Sequence, residues 1–212
     1  MLQKIILASS SPRRKDLLES AGFEVKIFKP EVDETPRKGE SPAALVRRLS
    51  QEKALTAFAA VSSKTSDPRP TLFVAADTIV VDPLGKRILG KPTSRADASK
   101  MLKSLSGKSH TVLTGFTVLY KTQSKKIAVH SALSKVVRTR VTIKPLTNVA
   151  IERYLNSGEP FDKAGSYAAQ GIGMGFIEKI VGSYTNVVGL PMTEVIEAME
   201  ELTKLTLYPP EA

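Results

Sequence analysis

Residues Ile5–Lys15, I-I-L-A-S-S-S-P-R-R-K, combine a short apolar run, three serines and a helix start. Ile5, Ile6, Leu7 and Ala8 read as a buried strand. Pro12 suits the first helical position, where its missing N–H would have had no partner. Ser11 stands where an N-cap belongs, and Leu17, Leu18 and Ala21 place an apolar stripe on the helix before Gly22 stops it. A strand therefore ends in a hydroxyl-rich turn faced by a helix N-terminus. Free N–H groups and the positive end of the helix dipole make such a turn an anion site. Arg13 and Arg14 lie in the first helical turn, where a cation is unfavourable unless an anion answers it; guanidinium forks match phosphate oxygens.

Outside this stretch, strands and helices alternate in the first half. Glu24–Phe28 reads as a strand, followed by the polar loop P-E-V-D-E-T-P-R-K-G-E with Glu31, Asp33 and Glu34. Ser41-Pro42 opens a helix to about residue 61, with Lys53 among Val46, Leu49, Ala57 and Ala60. A lysine on such a face snorkels to solvent or reaches a ligand. Residues 62–70 form a polar connector. T-L-F-V-A-A-D-T-I-V-V then reads as one buried strand interrupted by Asp77 and Thr78. A carboxylate between buried apolar residues is costly unless paired or metal-bound, which makes Asp77 the most informative acid in the chain.

Further along, I-L-G-K-P reads as a strand ended by Pro92. Ser94 caps a helix whose Ala98, Met101, Leu102 and Leu105 form a core stripe. His110–Tyr120 and Lys126–Ile143 alternate as strands, and a helix spans about Asn148 to Asn156. The glycine-dense segment from Glu159 leads to a strand at Phe176–Val181, a turn over Gly182–Gly189, and a helix opened by Pro191. Alternating elements with strands clustered mid-chain predict an α/β fold on a mixed sheet.

The chain has 212 residues, enough for one sizeable or two-lobed domain. It has no cysteine, which excludes disulfides, thiolate metal sites and a cysteine nucleophile. No apolar stretch approaches the ~20 residues of a membrane span, and the N-terminus lacks a signal-peptide pattern, so a cytoplasmic protein without membrane partners is expected. The net charge of +10 suits a polyanionic ligand. Lysines are dispersed rather than interleaved with aromatics, which argues against nucleic acid. There is no P-loop, no H-E-x-x-H and no G-x-S-x-G; Gly171, Gly173 and Gly175 form only part of a dinucleotide fingerprint. His110 and His130, far apart in strand contexts, read as structural. What remains is an anion-binding turn (Ser9, Arg13, Arg14), three lysines (Lys53, Lys91, Lys163) and two candidate metal carboxylates (Glu34, Asp77). Phosphoryl chemistry uses this combination, with a divalent cation bridging phosphates and a carboxylate accepting a proton from water.

Eight ordered motifs carry a resemblance over roughly residues 3–204. They are S-S-S-P-R-R-K-D-L-L, V-D-E-T-P-R, Q-E-K-A, A-A-D-T-I-V, L-G-K-P, S-G-K-S-H-T-V-L-T-G, S-G-E-P-F-D-K-A-G-S-Y-A-A-Q-G and N-V-V-G-L-P. The chain resembles the Maf family of nucleoside triphosphate pyrophosphatases. That resemblance implies an α/β/α two-lobed fold with a mixed sheet and a central cleft, similar to inosine triphosphate pyrophosphatases, within a single Maf-like domain over residues 1–212. It implies hydrolysis of a nucleoside triphosphate between the α and β phosphates with Mg²⁺ or Mn²⁺. By resemblance Asp77 is the proton acceptor and, with Glu34, a metal ligand. Ser9, Arg13, Lys53 and Lys91 bind the triphosphate, and Arg14, Thr78 and Gln170 select the base. Arg14, Thr78 and the D-K-A-G-S-Y-A-A-Q-G run resemble the branch acting on dTTP and UTP; 7-methyl-GTP hydrolysis and a nucleotide-binding role in division control are the alternatives. Family members are often homodimers, so a homodimer is expected.

Overall fold

The computed structural model describes residues 4–64, 70–121 and 131–209. The chain order is β1 (Lys4–Ala8), α1 (Pro12–Ser20), β2 (Val25–Phe28), α2 (Pro42–Lys64), β3 (Thr71–Val81), β4 (Ile88–Leu89), α3 (Arg95–Leu105), β5 (Ser109–Lys121), β6 (Ser131–Ile143), α4 (Asn148–Asn156), β7 (Ile177–Val181), α5 (Tyr184–Val188) and α6 (Met192–Thr203), with three short 3₁₀ turns between α4 and β7. The strands form one sheet in the order β2-β1-β3-β5-β6-β7, with β4 beside β3. β1 runs parallel to β2 and β3, whereas β4 is antiparallel to β3 and β7 to β6. The sheet is mixed and the class α/β, as the sequence predicts.

Two compact units share these strands. The first comprises Met1–Asp77, Thr114–Val136 and Gly189–Ala212. Its core gathers Ile6 and Ala8 of β1, Phe73 and Ala75 of β3, Leu119 of β5, and Ala54, Ala57 and Phe58 of α2. Phe58 and Phe73 meet edge to face at 5.4 Å. Helix α2 starts on the expected cap, Ser41 Oγ accepting from Ala44 N at 3.2 Å. It lies so close to β5 that a Cβ on Gly115 would stand 2.2 Å from the carbonyl oxygen of Val46. A hydroxyl chain runs beside this contact: Ser50 Oγ meets Thr117 Oγ1 at 2.9 Å, which meets Ser134 Oγ at 2.8 Å.

The second unit comprises Thr78–Leu113 and Val137–Val188. Leu102 and Leu105 of α3, Ile151, Tyr154 and Leu155 of α4, Val112 of β5 and Ile143 of β6 form its core with Tyr167 and Phe176. Both helices start where their hydroxyls place them. Ser94 accepts from Asp97 N and Thr147 from Ala150 N, each at 3.1 Å. Gly107 leaves α3 at φ +67°, the left-handed turn that favours glycine.

Four expectations change. Helix α2 continues to Lys64 instead of ending near 61, so the polar connector begins later; its residues 65–69 lie outside the described residues, as do 126–130 of the expected sixth strand, His130 among them. β4 is two residues long, because Gly90 leaves the strand directly after Leu89. Ser11 occupies the N-cap position of α1, yet its side chain makes no capping bond. Finally, the turn expected over Gly182–Gly189 contains α5, capped by Ser183 Oγ accepting from Asn186 N at 3.1 Å. Asn186 is fully buried and donates to Thr139 Oγ1 at 2.9 Å and Val112 O at 3.3 Å, so this one-turn helix is held by a side chain rather than by a stripe.

His110 is 2% exposed and hydrogen-bonds Tyr167 OH through Nε2 at 2.7 Å. Burial pulls its pKa down from the usual 6.5 to about 4. The unfolded chain therefore binds the extra proton first. Stability from this group is complete above pH 6.5 and is lost as pH falls towards 4, by about 3 kcal/mol at most. His110→Gln keeps a hydrogen-bonding side chain but cannot ionise, and urea unfolding at pH 7 and pH 4.5 should show a shallower loss in the variant. Equal losses in both proteins would assign the acid sensitivity elsewhere.

Candidate active site

In the first unit the turn after β1 is built around Ser9, which is 5% exposed. Its Oγ accepts from Ser11 N at 3.1 Å and from Arg14 Nη1 at 3.0 Å. A hydroxyl has two acceptor lone pairs and one proton. With both lone pairs engaged, Ser9 is left as a donor, the role an anion requires. Arg14 also donates from Nε to Gly189 O at 2.8 Å, which ties α1 to the chain entering α6. Its guanidinium thus orients the serine and a backbone carbonyl, a role spacing could not reveal. Burial lowers its pKa and the charges of Asp77 and Glu34 raise it; it stays a cation.

β3 carries Asp77 in mid-strand, 8% exposed among apolar neighbours. The charge is answered from α2: Lys53, itself buried, donates from Nζ to Asp77 Oδ1 at 2.7 Å. The same Nζ lies 2.7 Å from Glu34 Oε1. The lysine neither snorkels to solvent nor stands alone; it gathers two carboxylates from a loop and a strand. Glu34 remains largely exposed, with 62% of its side chain accessible. Its loop is gripped by Arg48, a residue not singled out from the sequence.

Two carboxylate oxygens thus converge on one cationic position. Among the described residues no group of three or more His, Cys, Asp or Glu side chains is placed to hold a metal. A pair is nevertheless what Mg²⁺ commonly takes from a protein, the remaining positions going to substrate phosphates and water. Glu34 and Asp77 are the two carboxylates that could hold a hard divalent cation, and Lys53 Nζ stands between their oxygens in this structure.

In the second unit Thr78 follows Asp77 on β3 and is partly exposed. Lys91 is exposed in the turn after β4. Gly165 N donates to Gly90 O at 3.1 Å, joining that turn to the segment carrying Lys163, whose ammonium pairs with Asp162. Gln170 is exposed beside Gly171, whose φ of +76° and ψ of −151° only glycine adopts readily. A further residue fixes this segment. Glu159 accepts from Ile172 N at 2.8 Å, Gly173 N at 2.9 Å and Tyr154 OH at 2.8 Å. Desolvation pushes the Glu159 carboxyl up, but these bonds and the charge of Lys163 outweigh it and hold it below its ordinary value. The motif S-G-E-P-F-D contained the residue; only the fold reveals its partners.

The first unit therefore presents a strand–turn–helix, the kind of element that can receive an anion at its helix N-terminus, beside a lysine that gathers two carboxylates. The Maf-like protein family matches residues 4–202, and this chain belongs to that family. A relative from Syntrophus aciditrophicus (strain SB), named dTTP/UTP pyrophosphatase, is 42% identical over 97% of this chain and 93% of its own. One from Rhizobium etli with the same name is 46% identical over 91% and 89%. Another from Geobacter sulfurreducens, again so named, is 43% identical over 95% and 98%. Among solved structures, the Staphylococcus aureus Ham1 protein aligns at TM-score 0.39 and 13% identity, covering 82% of this chain and 80% of that one, too loosely to carry an argument. No helix among the described residues is long and apolar enough to cross a membrane.

Proposed function

We propose that the chain is a dTTP/UTP pyrophosphatase, releasing pyrophosphate and leaving the nucleoside monophosphate. The observation that carries the chemistry is the convergence of Asp77 and Glu34 on Lys53, each oxygen 2.7 Å from Nζ. The substrate assignment is supported by full-length likeness to relatives of that name, 42–46% identical.

In this reading water attacks the α-phosphorus, and the bond from that phosphorus to the α–β bridging oxygen breaks. Asp77 accepts the proton of the attacking water. Ser9 donates a hydrogen bond from its hydroxyl to a phosphate oxygen. Arg13, Lys53, Lys91 and Lys163 neutralise charge on the triphosphate. Arg14 holds Ser9 as a donor. Glu34 and Asp77 would hold the Mg²⁺ or Mn²⁺ ion, which would neutralise phosphate charge and lower the pKa of a bound water. Thr78 and Gln170 select the base; a Gln amide presents one acceptor and two donors, which match the carbonyl and N–H edge of a pyrimidine.

The test is pyrophosphate release from dTTP, UTP, CTP, 7-methyl-GTP and ITP, each with Mg²⁺ and with Mn²⁺. dTTP and UTP should be turned over at least tenfold more efficiently than the others, a difference of about 1.4 kcal/mol in transition-state binding. Preference for 7-methyl-GTP would retain the chemistry and overturn the base assignment. Binding without turnover of any nucleotide would make the protein a nucleotide-dependent regulator.

A further inference from the structure

Glu34 lies in a loop without regular structure between β2 and α2, and its carboxylate is mostly exposed. A single ion pair to Lys53 is a weak tether for such a side chain. The stronger hold is on the backbone beside it. Arg48, projecting from α2, donates from Nη1 to Asp33 O at 3.4 Å and from Nη2 to Thr35 O at 3.0 Å. These are the carbonyls immediately before and after Glu34.

The guanidinium is itself held. Its Nε and Nη2 reach the two oxygens of Glu40 at 2.7 and 2.9 Å, a bidentate pair, and Nη1 reaches Glu52 Oε2 at 3.1 Å. The side chains of Arg48 and Glu40 are only 12% and 9% exposed. Glu40 also accepts from Arg37 N, and Arg37 Nη2 reaches Glu52 Oε1, both at 3.0 Å. The loop is fastened to one arginine at Asp33, Thr35 and Glu40, while Asp33 Oδ1 turns the backbone by accepting from Thr35 N at 2.9 Å.

We propose that Arg48 is the positioning residue for Glu34: by gripping the Asp33 and Thr35 carbonyls it presents the Glu34 carboxylate to the point where Lys53 and Asp77 meet. The inference deepens the proposed phosphohydrolase reading and rests on it for its catalytic consequence. The guanidinium is bonded to the loop carbonyls, Glu40 and Glu52, so its role is to position Glu34. A lysine could pair with Glu40, but a compact ammonium cannot span two carbonyls and two carboxylates as the planar fork does.

The experiment uses the full chain and the variants Arg48→Lys, Arg48→Met, Glu34→Gln and the double variant Arg48→Lys with Glu34→Gln. Three readouts are compared: hydrogen exchange of residues 31–40, the thermal midpoint, and nucleotide hydrolysis over a Mn²⁺ titration. Arg48→Lys should speed exchange of residues 31–40 at least tenfold while the midpoint moves by no more than a few degrees. Its kcat should fall 10–100-fold with KM for the nucleotide within threefold, and half-maximal activity should need more Mn²⁺. In the Glu34→Gln background the same substitution should cost less than threefold in kcat, because the carboxylate it places is gone. Unchanged exchange of the loop, or a full additional loss in the double variant, overturns the proposal. So does a midpoint that collapses with activity in both Arg48→Lys and Arg48→Met. If the wild-type chain turns over no nucleotide, the function reading fails by itself, and the exchange measurement still decides whether Arg48 orders the Glu34 loop.

Discussion

Asp77→Asn is expected to lower pyrophosphate release by about 10³-fold while leaving a folded protein, because the substitution removes the proposed proton acceptor and one of the two carboxylates proposed to hold the cation while keeping the side chain's volume. Asp77 is buried in a strand whose neighbours are apolar, and its oxygen accepts from Lys53 at 2.7 Å. An Asn carbonyl can keep that hydrogen bond and that volume. It cannot take the proton of an attacking water. The buried lysine retains Glu34 as its second partner, so its ammonium is not left unpaired. Steady-state rates together with circular dichroism would decide the matter. A variant retaining a tenth or more of the wild-type rate would remove Asp77 from the mechanism. Folded protein with the rate lost would separate chemistry from scaffolding.

Gly115→Ala should destabilise the chain by about 3 kcal/mol, the upper range for inserting atoms into a packed interior. The added methyl would stand 2.2 Å from Val46 O and 2.4 Å from Val46 C, backbone atoms of α2 that have no rotamer to change. Either the helix backs away from β5 or the strand bends. In a chain of this length the thermal midpoint should drop by roughly 6–12 °C. Activity should fall as well, since α2 carries both Lys53 and Arg48. A midpoint within two degrees of wild type would mean that the helix and strand can separate cheaply at this point.

The elements set by strong local chemistry were legible in the sequence. The apolar run, the serines and Pro12 mark β1 and α1, and Ser94 starts α3 as a hydroxyl cap does. Asp77 also stood out, because a charge inside an apolar strand has few inexpensive explanations. What spacing could not show was convergence. Glu34, Lys53 and Asp77 are far apart in sequence, and only the fold brings two carboxylates to one ammonium. Arg48 and Glu52 look like an ordinary i,i+4 pair on a solvated helix face, yet Arg48 is largely enclosed and spends its fork on a loop. α5 was missed because five residues are too few to display a helical period, and the residue that secures it is a buried asparagine. The fold class followed from patterns; the site followed from contacts.

The two ends of the sheet bear on how the protein behaves when crowded. A terminal strand offers unpaired N–H and C=O groups, which can template pairing with another chain and seed fibrillar aggregation. Here the terminal strands are β2, four residues long, and β7, five residues long. Lys26 stands exposed on the first, and Glu178 and Lys179 on the second. Short rims studded with charge make poor templates: an incoming strand would find few rungs and would have to desolvate an ammonium or a carboxylate to use them. Growth of the sheet from one molecule to the next is therefore disfavoured at both of these rims.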